Sequence, residues 1–186
     1  MTHSTLVLGG TRSGKSAHAE GLLPADAPAT YVATARLIPG DQEWAERIAR
    51  HAARRSPDWT TREASDPDEL IELLAEAGPA DAPILIDDMT TWLTNVLNDA
   101  RAWKGGETEL MRVHRTTGEM VCALAACPAR VVLVSAEVGL GVVPETRSGR
   151  LFRDELGMLN ASLAEVCDDV LLLVAGLPME LKTTRR

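Results

Sequence analysis

The stretch Thr5-Leu6-Val7-Leu8-Gly9-Gly10-Thr11-Arg12-Ser13-Gly14-Lys15-Ser16 runs from apolar residues through glycines into a lysine and a hydroxyl. It is a complete phosphate-binding loop in the setting that its chemistry requires. The apolar run is a buried strand, the glycines let the backbone curl so that N–H groups converge on phosphate oxygens, and a helix follows. Lys15 is placed to reach the β and γ phosphates, and Ser16 to ligate Mg²⁺. Residues Gly9, Gly10, Thr11, Arg12, Ser13, Gly14, Lys15 and Ser16 are therefore candidate nucleotide contacts.

Outward from this loop, short apolar runs alternate with amphipathic segments, which predicts a parallel sheet covered on both faces. Strands are expected at Thr5–Leu8, Thr30–Ala33, Ile84–Ile86, Arg130–Ser135 and Val170–Val174, with a weaker one near Thr60–Arg62. Helices are expected at Gly14–Leu23, Gln42–Arg54, Pro67–Ala77, Thr91–Ala100, Thr108–Cys127 and Gly149–Val166. With 186 residues and an apolar fraction of 45%, a single α/β domain over 1–186 accounts for the chain. In such sheets ligands bind beyond the carboxyl ends of the strands, so the segments after Leu8, Ala33, Ile86 and Ser135 should share one site.

Composition narrows the partners. A formal charge of −8 argues against nonspecific nucleic-acid binding, which needs a basic surface to neutralise phosphates. The longest apolar stretch, Val170 to Leu177, is far short of the roughly 20 residues that span a bilayer. With no basic region before an apolar core near Met1, no membrane insertion is expected and the protein is expected in the cytoplasm. The cysteines, Cys122, Cys127 and Cys167, form no CxxC pair, which favours reduced, buried thiols over disulfides or zinc.

Strand Ile84-Leu85-Ile86 ends in Asp87-Asp88, where a second nucleotide motif would hold Mg²⁺ or its waters. Asp87 is the first choice; Asp88 serves equally as the cap of the helix that begins near Thr90. The helix expected at Gln42–Arg54 carries Arg47, Arg50, His51, Arg54 and Arg55. Residues three and four apart are helix neighbours, so His51 is flanked by guanidinium groups. Such a ring would bind phosphate oxygens and keep the imidazole neutral and nucleophilic near pH 7; a solvated face with Glu43–Arg47 and Glu46–Arg50 pairs explains the same spacing. Glu137, just past the strand at Arg130–Ser135, borders the shared site. Arg147, Arg150 and Arg153 recur every three residues and point to phosphate or to pairing with Glu145 or Asp154. His3, His18 and His114 read as surface or packing residues, and Trp92, Leu93, Val96 and Leu97 as core.

Several segments together resemble one family. They are GGTRSGKS with His18-Ala19-Glu20, Tyr31-Val32-Ala33-Thr34, Arg47-Ile48 with His51, Trp59-Thr60-Thr61-Arg62-Glu63 and Thr90-Thr91-Trp92-Leu93-Thr94-Asn95. To these are added Glu137-Val138-Gly139-Leu140-Gly141-Val142-Val143-Pro144-Glu145, Phe152-Arg153-Asp154, Gly157, Asn160 and Ala175-Gly176-Leu177-Pro178. The chain resembles the bifunctional adenosylcobinamide kinase/adenosylcobinamide-phosphate guanylyltransferase family over nearly its whole length.

The resemblance implies a RecA-like phosphate-loop fold, usually a homotrimer, and two reactions of cobalamin biosynthesis. A nucleoside triphosphate, ATP or GTP, phosphorylates the aminopropanol hydroxyl of adenosylcobinamide, with Mg²⁺. GTP then donates GMP to that phosphate through a histidine phosphoramidate, and the matching histidine is His51. The resemblance makes His51, Lys15 and Asp87 the expected catalytic residues, with Arg47, Arg54, Arg55 and Glu137 on the nucleotide. The chain departs from the family pattern at Ala136 and Ala161, where amide side chains are usual, and at Asp87, where some relatives carry Glu. Two rivals fit the loop alone: a single-activity small-molecule kinase, and a non-catalytic nucleotide-dependent switch.

Overall fold

The computed structural model describes residues 3–36 and 56–184. The helix expected at Gln42–Arg54, with Arg47, Arg50, His51, Arg54 and Arg55, lies outside the described residues. In chain order the described elements are β1 (Ser4–Gly9), α1 (Lys15–Gly21), β2 (Ala29–Ala33), β3 (Trp59–Glu63), α2 (Pro67–Glu76), β4 (Ile84–Asp87) and α3 (Met89–Asp99). They continue with α4 (Glu107–Ala126), β5 (Val131–Ala136), α5 (Arg147–Val166), β6 (Asp169–Val174) and β7 (Leu177–Lys182).

The seven strands form one sheet in the order β3-β2-β4-β5-β1-β6-β7. All neighbours are parallel except β6 and β7, which pair antiparallel. Side chains alternate between faces along a strand, and the alternation divides the core in two. Leu6, Leu8, Val32, Ile84, Ile86, Val131, Leu133 and Val170 pack with the apolar residues of α2, α3, α4 and α5. Val7, Ala29, Tyr31, Leu85, Val132, Val134 and Leu173 pack with Ala19 of α1 and Leu23 on the other face. Trp92, Leu93, Val96 and Leu97 lie in the larger cluster, as their helical spacing indicated.

Local chemistry sets the element ends. Asp66 accepts from the N–H of Asp68 and Glu69 accepts from the N–H of Asp66, with Pro67 at the first helical position, so α2 begins on a reciprocal cap. Gly106 N–H donates to Glu109 at the start of α4, and Gly149 N–H donates to Thr146 at the start of α5. Asn95 is buried and donates to the carbonyls of Thr34 and Ser65, tying the segments after β2 and β3 to α3.

Strand β7 was not among the expected strands. Pro178 and the exposed side chains of Leu177, Met179 and Leu181 obscure it. It lies at the sheet edge, where a proline that donates no ladder bond is tolerated. Its connection to β6 is a two-residue turn, Ala175-Gly176, with φ of 51° and 81°. Positive φ at both positions suits the right-handed twist of a tight hairpin. Of the cysteines, Cys127 and Cys167 are buried as expected, whereas Cys122 is exposed; all three are free. Cys122 falls on the outer side of α4, away from the stripe formed by Val113, Met120 and Leu124.

Ala175 occupies a left-handed conformation that glycine adopts freely and alanine does not. Ala175→Gly should therefore raise unfolding stability by about 1 kcal/mol, with the added freedom of the unfolded chain offsetting part of the gain. Urea denaturation should show a higher midpoint at an unchanged slope.

Candidate functional site

The loop from Gly10 to Gly14 joins β1 to the first turn of α1 at the carboxyl edge of the sheet. Gly9 is buried, and a methyl group there would collide with Ser13 Oγ and stand 2.9 Å from the carbonyl of Leu173. Gly14 has a φ of 91° and is the residue from which α1 starts. Ser13 N–H donates to Gly10 O at 3.2 Å, and Lys15 Nζ lies 3.4 Å from the same carbonyl. From the other side, Gly176 N–H donates to Ser13 O at 3.0 Å, so the β6–β7 turn braces the loop. Ser13 Oγ is buried and has no hydrogen-bond partner among the described residues.

Asp87 completes the cluster. Strand parity puts it on the same face as Leu85, the face that α1 covers. Its carboxylate accepts from Ser16 Oγ at 3.3 Å and from Tyr31 Oη at 3.0 Å. Burial, and then the neighbouring Asp88 carboxylate, push the Asp87 carboxyl up from an ordinary 3.8 to about 6, against the two hydroxyl donors. A hydroxyl and a buried carboxylate this close are the hard oxygen donors that suit Mg²⁺ carried by nucleotide phosphates. Tyr31 was not expected at the site. Its signal was parity, since the register pairs Tyr31 with Leu85 and Ala33 with Asp87.

Asp88 does something else. Its carboxylate accepts from the N–H and the hydroxyl of Thr91, both at 2.8 Å, as the cap of α3. Its backbone N–H and carbonyl are bonded to Thr34 Oγ1. The capping alternative thus describes its geometry.

At β5, Ala136 pairs with Gly9 in register. Glu137 N–H donates to Gly9 O at 3.1 Å, so its backbone borders the phosphate loop, while its carboxylate accepts from Gly139 N–H. Asn160 accepts from Ser135 Oγ and donates to Ala136 O, and Thr90 Oγ1 accepts from Ala136 N–H. Among the described residues, Arg147, Arg150 and Arg153 donate to backbone carbonyls. Arg147 takes those of Trp103 and Gly105, Arg150 those of Pro144 and Glu145, and Arg153 those of Gly139 and Gly141. Their helix begins beside these loops, whose carbonyls serve as acceptors. His3 and His114 are bonded to Asp169 and Glu155, and His18 is half-buried on α1.

The strand, the glycine loop, the hydroxyl at the head of α1 and the acid at the end of β4 define an α/β protein of the phosphate-loop class. A solved structure from Pyrococcus horikoshii OT3 shares the fold, with a TM-score of 0.55 at 9% identity over 98% of this chain and 87% of that one. Residues 5–181 match the family described as cobinamide kinase / cobinamide phosphate guanyltransferase, and the chain belongs to that family. It is 42% identical over 185 residues to the bifunctional adenosylcobalamin biosynthesis protein CobU of Salmonella typhimurium, covering 95% of this chain and 98% of the relative. It is 42% identical over 180 residues to CobP of Pseudomonas aeruginosa, which carries the same description, at 95% and 96% coverage. The RecA-like phosphate-loop fold expected from the sequence accords with that membership. Among the described residues, no helix is long and apolar enough to cross a membrane.

The Asp87 carboxyl titrates higher in the folded protein than in the unfolded chain, so its contribution to stability is full below pH 4 and lost as pH rises through about 6. A rise from 3.8 to about 6 corresponds to roughly 3 kcal/mol of penalty at neutral pH. Without nucleotide or Mg²⁺, Asp87→Asn should be more stable than wild type at pH 8 by up to that amount. The difference should shrink toward pH 4 in thermal melts.

Proposed function

We propose that this chain, as one phosphate-loop domain, phosphorylates adenosylcobinamide with a nucleoside triphosphate and then transfers GMP from GTP to the new phosphate. The observation that carries this reading is the Ser16–Asp87 pair at the head of α1, beside a complete phosphate loop. Family membership and the names of the relatives supply the acceptor. By the family resemblance the enzyme works as a homotrimer, in the cytoplasm.

In the kinase step the aminopropanol hydroxyl attacks the γ phosphorus, the bond to the β–γ bridging oxygen breaks to release the nucleoside diphosphate, and the hydroxyl proton passes to solvent. The backbone N–H groups of Gly10 to Gly14 and the Lys15 ammonium hold the phosphates in line, since positioning and charge stabilisation do most of the work in phosphoryl transfer. Mg²⁺ bound between Ser16, Asp87 and the phosphates would neutralise charge on their oxygens. Tyr31 orients the Asp87 carboxylate from its other oxygen. In the second step an imidazole nitrogen of His51 displaces pyrophosphate from the α phosphorus of GTP. The corrinoid phosphate then displaces the imidazole, giving adenosylcobinamide-GDP. Arg47, Arg54, Arg55 and Glu137 are assigned to the nucleotide in this scheme. Splitting the transfer in two exchanges one difficult displacement for two easier ones.

Lys15→Ala should lower both activities by about a hundredfold or more, the scale for losing one preorganised charge-stabilising donor. His51→Ala should divide them. With GTP labelled at the α phosphate and no corrinoid, wild type should take up an acid-labile, alkali-stable label. His51→Ala should take up none and make no GMP product, yet still phosphorylate the corrinoid alcohol. GMP transfer by His51→Ala at the wild-type rate would remove His51 as nucleophile. A wild-type protein that leaves adenosylcobinamide unphosphorylated in the presence of ATP, GTP and Mg²⁺ would overturn the reading as a whole.

A further inference from the structure

The segment between β5 and α5 combines firm anchoring with apolar exposure. Its base is fixed to the phosphate loop through Glu137 N–H and Gly9 O. The Glu137 carboxylate takes Gly139 N–H, and the Arg153 guanidinium donates to the carbonyls of Gly139 and Gly141. Arg150 donates to Pro144 O at 3.0 Å and Glu145 O at 2.7 Å, where the segment turns into α5. Its polar backbone is thus spent inward on two arginines. The apolar side chains are left in water: Leu140 is 82% exposed, Val142 94% and Val143 64%. Three large apolar residues within four positions, set on a braced loop at the rim of a phosphate site, form the kind of patch that marks a ligand or partner surface.

The acceptor of the proposed reaction has the complementary shape. Its corrin macrocycle is a broad disc bearing methyl groups and an amide fringe, with an adenosyl group over one face, and only one arm of it carries the reactive hydroxyl. For that hydroxyl to meet a phosphate held over Gly9 to Ser16, the disc must rest on a surface next to the loop. The strand bearing the 137–145 segment is a direct neighbour of β1.

We propose that Leu140, Val142 and Val143 form a preformed apolar rest for the corrin disc of the cobinamide acceptor, held in place by Arg150 and Arg153 as positioning residues. The proposal rests on the acceptor assigned above. A flexible loop would have to be ordered on binding, at a cost in affinity, whereas a braced one presents its apolar atoms already in place. In the reaction assigned above the nucleotide phosphates are held by the phosphate loop and Lys15, so changes at these three side chains should separate the corrinoid and nucleotide affinities.

The test is the triple variant Leu140→Ser/Val142→Ser/Val143→Ser, whose exposed positions should leave the melting temperature near wild type. Equilibrium dialysis with adenosylcobinamide reads binding without turnover, steady-state kinetics read KM for corrinoid and for nucleotide, and light scattering reads the oligomeric state. The expected result is at least a tenfold loss of cobinamide affinity and a matching rise in its KM, with nucleotide KM within twofold and the oligomer unchanged. Arg153→Ala should raise cobinamide KM severalfold at constant nucleotide KM, and Arg153→Lys should recover part of it. Unchanged cobinamide affinity in the triple variant overturns the proposal. So does dissociation of the oligomer, which would assign the patch to contact between copies of the chain. Wild type that binds cobinamide without phosphorylating it would sink the reaction assigned above and leave the rest standing, whereas wild type that binds none overturns both.

Discussion

The site depends on a carboxylate that the fold buries at the head of α1. Asp87 ends a strand two places from β1, with β5 between them, yet its oxygen reaches Ser16. It can do so because α1 packs across β1, β5 and β4 and brings its first turn over the end of β4. Strand parity then decides the rest: residue 87 shares the α1 face with residue 85, and a shift of one position would turn it to the other face. The same parity sends Tyr31 to that carboxylate. Registry across four strands is thus the physical requirement behind two hydrogen bonds.

That requirement also separates two adjacent acids of identical chemistry. Asp87 is drawn under α1 and its carboxyl is raised by burial; Asp88, one residue on, is spent on the start of α3. Neighbouring threonines complete the division. Thr34 satisfies the backbone of Asp88, and Thr90 that of Ala136, so the strand ends around the phosphate loop are closed by hydroxyls. Asn160 does the same from α5. These residues set the frame in which the loop keeps its shape, and none of them needs to touch a ligand to do so.

Much of this was legible in the sequence, for reasons that can be named. Glycine spacing after Leu8 disclosed the loop, and apolar runs such as Val131 to Val134 disclosed parallel strands because both of their faces are buried. Strand β7 was illegible because an exposed edge strand carries no such run. Arg147, Arg150 and Arg153 were legible as one helical face but not by partner, since carbonyls of loops 42 and 44 residues away in the chain, for Arg147, leave no trace in the spacing. Tyr31 needed the register of β2 against β4, which no single segment contains. The cluster of His51 and its arginines was legible from helical spacing, its nucleophile role came from the family resemblance, and these residues lie outside the described ones.

The place of β1 in the sheet has a consequence for how the molecule comes into being. The strand that leads into the phosphate loop is made before both of its neighbours, β5 and β6, residues 131–136 and 169–174. The brace on the loop comes later still, from Gly176. Until those segments leave the ribosome, the loop sequence has no strand partner, no floor under Gly9 and no support for Ser13. Closing contacts so distant in the chain is slow, because the entropy of the intervening loop must be overcome first. A nascent chain therefore carries the nucleotide motif long before it carries a nucleotide site, and apolar strands such as β1 await partners during that interval.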